Sequence, residues 1–223
     1  LNKGKTVEDK ALSIPEEQVL ISYYGGKLCD LSRRTLKLPD SVTSTALTYL
    51  RRFYVGTRCV DVDPQYIVLT CLYVACKVED WYVSAEHISK HSGLPEDVIL
   101  KFELVLLQGL EFDLLVLSPY DALEGLDGSL GGLYSKTRAR EWIDRVLVST
   151  DGMLLYSPGQ IALESVLRSR NENVTEEEVL GGVDVFFKRL DLPCMDEDVS
   201  HEDVKAIDKK LKELVVMLRR QNK

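Results

Sequence analysis

Positive charge is in deficit: 28 Lys and Arg stand against 36 Asp and Glu, leaving the 223-residue chain with a formal net charge of -8. Binding to a phosphate backbone draws its affinity from clustered cations, so direct nucleic-acid binding is disfavoured as the main activity, although a local basic patch stays compatible. The five cysteines, Cys29, Cys59, Cys71, Cys76 and Cys194, are odd in number and contain no C-x-x-C pair. Neither a disulfide framework nor a zinc site is indicated, and a reducing compartment, cytosol or nucleus, fits best. No apolar run reaches membrane-spanning length, and residues 1–10 are too polar for a signal peptide, so a soluble intracellular protein with no membrane partner is expected. Alternating polar and β-branched runs are also scarce. Helical periodicity dominates instead, and the chain reads as all-α.

Helix punctuation is explicit. Asp63-Pro64 supplies an N-cap and a first-turn proline to a helix expected to end near Glu79, and Pro95 is expected to open another that carries Glu103. Thr175-Glu176-Glu177-Glu178 has the form of a capping box. Val204, Ile207, Leu211, Leu214, Val215 and Leu218 form one apolar face of a C-terminal helix, with Arg219, Arg220 and Lys223 placed to complement its dipole. The acidic run 191–208 reads as a solvated loop and helix entrance, with Ser200 as its cap.

A shift of 94 positions sets Pro64, Ile67, Leu69 and Leu72 against Pro158, Ile161, Leu163 and Val166. Tyr49 and Phe53 then fall on Ile143 and Leu147, and Cys59 and Val60 on Met153 and Leu154. Two similar helical bundles in tandem follow, with a boundary at 117–120 where Ser118-Pro119 breaks a helix. The expected division is an N-terminal segment 1–16, a first repeat 17–117, a second repeat 118–198 and a C-terminal helix 199–223.

Two charges stand out. Lys77 closes the apolar run from Ile67 to Cys76, and Glu103 has Ile99, Leu100, Leu106 and Leu107 as its helical neighbours. A charge on an apolar face needs a partner. Lys77 can extend its head to water near a helix C-terminus. Glu103 can pair with Lys77 and fix helix packing, the two can act as general acid and base, or the face can be a docking surface. No nucleophile, phosphate loop or metal constellation accompanies them. His87 and His91 lie four apart on a helix but lack third and fourth ligands.

The run from Leu72 to Asp80 (LYVACKVED), followed by FELVLL at 102–107 and LEFDL at 110–114, resembles the cyclin box. SPYDALEG at 118–125, LLYSPGQIAL at 154–163 and YLRRFY at 49–54 are similar to the cyclin H branch of that family rather than to cell-cycle cyclins. The resemblance spans about residues 17–218 and is strongest in the first repeat. It implies two five-helix repeats with flanking terminal helices, and a regulatory subunit that binds and activates a cyclin-dependent kinase, with no catalytic residues and no cofactor of its own. In the family, the residues matching Lys77 and Glu103 contact the kinase αC helix. Around them, those matching Val74, Val78, Leu107, Phe112 and Leu114 form the apolar socket that receives a side chain from that helix, whereas on pattern alone they read as core. The cyclin H branch further implies a nuclear kinase complex with a RING-containing assembly factor, acting on other kinases and, through the TFIIH core, on the RNA polymerase II tail. Cyclin C of the Mediator kinase module is the nearest alternative, and transcription factor IIB-like paired repeats that bind nucleic acid are a further one. Residues 18–37 match the first cyclin-box helix but lack the Met-Arg-Ala-Ile-Leu pattern for substrate docking, and residues before Glu16 do not resemble the extra N-terminal helix of cyclin H.

Overall fold

The computed structural model describes residues 12–189, with side chains through Val183. The C-terminal apolar face, residues 199–223, the acidic run with Ser200, and residues 1–11 lie outside the described residues. The chain divides into two compact units, the first ending at Leu115 and the second starting at Val116. Regular structure among the described residues is helical, apart from one isolated bridge between Tyr134 and Arg170.

In the first unit, α1 (Ile14–Cys29) starts at Ser13, whose N–H donates to the Glu16 carboxylate at 2.8 Å. It runs on into a π-helical segment, Asp30–Thr35, before α2 (Asp40–Gly56). Helix α3 (Pro64–Val78) is central and touches α1, α2, α4 (Ala85–Ser92), α5 (Glu96–Lys101) and α6 (Glu103–Gly109). Its sequence dictates that position, because an almost continuous apolar run suits a helix covered on all sides. Ile67, Leu72, Ala75 and Cys76 are fully buried. Asp63 caps it as the sequence predicts, its carboxylate accepting the Gln65 N–H at 2.8 Å.

The helix expected from Pro95 through Glu103 is two helices. Phe102 (φ -85°, ψ -4°) separates α5 from α6, and its ring stacks on Tyr66 of α3 at 6.1 Å, with the ring planes 5° apart. No proline or glycine marks this break in the sequence. It makes Glu103 the first residue of α6, where the helix dipole favours an acid.

The second unit holds α7 (Pro119–Leu130), α8 (Lys136–Ser149), the single turn α9 (Gly152–Leu155), α10 (Pro158–Arg168) and α11 (Glu176–Arg189). Here α10 is touched by α7, α8, α9 and α11, the place α3 holds in the first unit. The 94-residue shift thus pairs the two central helices. Tyr49 and Ile143 are both fully buried, as are Ile67 and Ile161, and Leu72 and Val166. The loop positions do not follow, since Val60 is exposed. Ser118, Ser157 and Thr175 cap α7, α10 and α11, and Thr175 forms the expected box: its N–H donates to Glu178 at 2.8 Å and its hydroxyl accepts the Glu178 N–H at 3.2 Å. No helix among the described residues is long and apolar enough to cross a membrane.

Candidate functional site

Lys77 and Glu103 meet. The ammonium at the end of α3 pairs with the carboxylate at the start of α6, and it also lies 4.9 Å from the centre of the Tyr73 ring. Although both stand on apolar stretches, neither charge is buried: the side chains retain 48% and 24% of their exposure. A lysine in the last helical turn can extend its stem and keep its head in water, and Glu103 is turned outward by the break at Phe102.

The five apolar positions divide. Val74, on the inner side of α3, is 2% exposed and belongs to the core. Val78 (39%) and Phe112 (62%) are exposed, and Leu107 and Leu114 are half-buried. Sequence pattern alone, which made all five core, therefore holds for Val74 and fails for Val78 and Phe112. Periodicity does not register that α3 loses its neighbours at its C-terminal end.

Phe112 is displayed by backbone geometry. Beyond α6, Glu111 and Phe112 both adopt left-handed φ (52° and 59°), and the Phe112 N–H returns to the Leu107 carbonyl at 2.9 Å. This six-residue closure satisfies a terminal carbonyl and usually places glycine where Glu111 stands. The segment 110–115 is then tied to α2: the Tyr49 hydroxyl donates to the Leu114 carbonyl at 2.7 Å, and Arg52 reaches Asp113 and the Leu115 carbonyl at 3.4 Å. Burial holds the Tyr49 phenol well above its ordinary range, so it remains a donor.

The end of α3 repeats the device. Asp80 is left-handed (φ 54°), and the Trp81 N–H closes on the Cys76 carbonyl at 2.8 Å. Trp81 thereby emerges beside Lys77, as Phe112 does beside Leu107. Glu79 anchors this turn by accepting the Thr45 hydroxyl of α2 at 2.6 Å. Sequence reasoning missed Trp81, Tyr82, Leu100, Leu104 and Val105, all exposed on or beside the same helices. Two adjacent aromatics just past a helix end were the available signal. Clustered exposed apolar side chains around a satisfied ion pair mark an interaction surface rather than a reaction centre.

The two histidines of α4 face each other with ring centres 4.7 Å apart, and His91 Nδ1 lies 2.9 Å from the His87 carbonyl oxygen. Among the described residues no group of three or more His, Cys, Asp or Glu is arranged to hold a metal.

The cyclin N-terminal domain matches residues 30–115, the stretch that holds α2 to α6. Cyclin-H1-1 of Arabidopsis thaliana is 33% identical over 91% of this chain and 68% of its own length. Cyclin CCL1 of Saccharomyces cerevisiae is 33% identical over 73% of this chain, which spans less than half (44%) of that protein. Among solved structures, a chain of the yeast TFIIK complex of Kin28, Ccl1 and Tfb3 superposes with a TM-score of 0.70 at 28% identity, covering 91% of this chain and 88% of that one. The chain belongs to the cyclin family, as a cyclin H-like member.

Proposed function

We propose that this chain is the regulatory subunit of a cyclin-dependent kinase, docking the kinase αC helix on the face that carries Lys77, Glu103, Val74, Val78, Leu107, Phe112 and Leu114. The observation that carries the reading is Phe112, a large apolar ring held out of the core by two successive left-handed residues just past the end of α6, the helix that Glu103 starts. A side chain inserted among Val78, Leu107 and Phe112 removes apolar surface from water on both partners. Val74, buried in the core, supports that face from within.

A kinase needs its αC helix inward so that the αC glutamate can pair with the strand lysine that positions ATP phosphates. A subunit that binds the inward state preferentially shifts that equilibrium, and moving it from 1:99 to 99:1 takes about 5.5 kcal/mol of differential affinity. At roughly 25 cal/mol per Å² of apolar surface, several hundred Å² supply that scale before ordering costs. The half-exposed ion pair adds register and discrimination more than affinity. The chain itself catalyses nothing.

Within the family, the cyclin H-like assignment supports a nuclear complex in which the kinase phosphorylates activation loops of other kinases and, through TFIIH, the RNA polymerase II tail. A solved relative assembles with Kin28 and Tfb3, which supports a kinase partner and a third, assembly-factor subunit. The reading is tested by assaying a cognate kinase catalytic subunit with and without the chain. Activation that saturates at one chain per kinase is expected, and unchanged activity across the titration overturns it.

A further inference from the structure

A groove of about 660 Å³ opens beside Lys77, between the end of α3 and the starts of α4 and α5. Its aromatic lining is Tyr73, Trp81 and Tyr82, and Leu100, Asp80 and Glu96 also line it. Tyr82 is fully exposed and Trp81 half-exposed. Lys77 also lines the groove, but Glu103 matches its charge. Asp80 and Glu96 have no ion-pair partner among the described residues. The groove is therefore net anionic as well as aromatic.

We infer that this groove is a second subsite of the kinase-docking face and receives an arginine or lysine side chain of the kinase catalytic subunit, flanking its αC helix. Aromatic rings attract a cation through their faces; the Tyr73 ring already carries the Lys77 ammonium, so Trp81 and Tyr82 are the rings on which a guanidinium can stack while donating hydrogen bonds to a carboxylate. Desolvating Asp80 or Glu96 against an uncharged partner is unfavourable, so the groove discriminates among kinases by the residue each presents. Continuity with the proposed interface names the occupant: Lys77 belongs to both, and Leu100 lies three residues before Glu103, across the break at Phe102. The rings are set by the same left-handed turn at Asp80 that ends α3. The inference rests on the kinase-docking reading.

The test measures affinity for the cognate kinase catalytic subunit, across a range of salt concentrations, using wild type, Asp80→Asn, Glu96→Gln and the double variant, with Glu103→Ala alongside. Asparagine tolerates the left-handed conformation at position 80, and Glu96 is an exposed first-turn residue, so circular dichroism should be unchanged. The expected result is roughly tenfold weaker binding by the double variant and a shallower salt dependence than wild type. Undiminished binding by all three groove variants, with Glu103→Ala weakened, overturns the groove and leaves the docking reading standing. No binding by wild type removes both. Should Asp80→Asn alter the fold, Glu96→Gln and the charge reversal Glu96→Lys decide the question alone, with the reversal expected to weaken binding further.

Discussion

Lys77 on α3 and Glu103 on α6 satisfy each other across a helix junction, so the polar centre of the proposed docking face is complete before any partner arrives. Both side chains keep substantial contact with water, which sets the scale of what the pair does for the fold. Exposed ion pairs stabilise by about 0–1 kcal/mol, because solvent screens the attraction and ordering two side chains costs entropy. Glu103→Ala is therefore expected to shift the free energy of unfolding by less than about 1 kcal/mol in urea titration. The larger penalty of a stranded buried charge belongs to the kinase complex, where water is excluded.

The left-handed residue Glu111 offers a way to separate display from stability. A non-glycine residue at φ 52° carries a steric penalty of roughly 1–2 kcal/mol that glycine avoids. Part of that gain is lost to the greater backbone entropy of glycine in the unfolded chain. Glu111→Gly is expected to raise the urea midpoint by an amount equivalent to about 0.5–1 kcal/mol while leaving kinase affinity within about twofold.

At Gly109, the last residue of α6, a Cβ would come within 2.6 Å of the buried Phe53 ring. That ring belongs to the core between α2 and α6 and has little freedom to withdraw. Gly109→Ala is expected to destabilise the fold by about 1–3 kcal/mol despite alanine's better helix propensity, measured by thermal or urea unfolding.

Burial makes three thiols unreactive. It raises the Cys59 thiol to about 11 and the Cys76 thiol to about 12, and pushes Cys71 higher still. A raised thiol pKa means less thiolate at any pH below it, and thiolate is the reacting species. Native protein treated with iodoacetamide at pH 8 should show these three unmodified by peptide mass spectrometry, and labelled once unfolded in urea.

Much of the helical frame is written locally and is legible without coordinates. Asp63-Pro64 and Thr175 through Glu178 carry their caps in their own side chains, and Pro64 and Pro158 mark the central helices of both units. The break at Phe102 is different in kind. It depends on stacking against Tyr66, 36 positions earlier in the chain, and no local residue announces it. Likewise the distinction between Val74 and Val78, one turn apart on α3, depends on where the neighbouring helices stop. Lys77 and Glu103 stand out in the sequence as charges on apolar stretches that can pair, but their exposure, and the display of Trp81 and Phe112 by acidic left-handed residues, emerge only from tertiary structure.

The measurement that bears most directly on the kinase-docking claim is a calorimetric titration of the cognate kinase catalytic subunit, with and without its assembly factor, into wild type, Glu103→Ala and Phe112→Ala. The account predicts a one-to-one complex with wild type and at least about tenfold weaker binding by each folded variant, since both substitutions fall where water is excluded on docking. Equal affinity for all three proteins, or no complex with wild type even when the assembly factor is present, would contradict it.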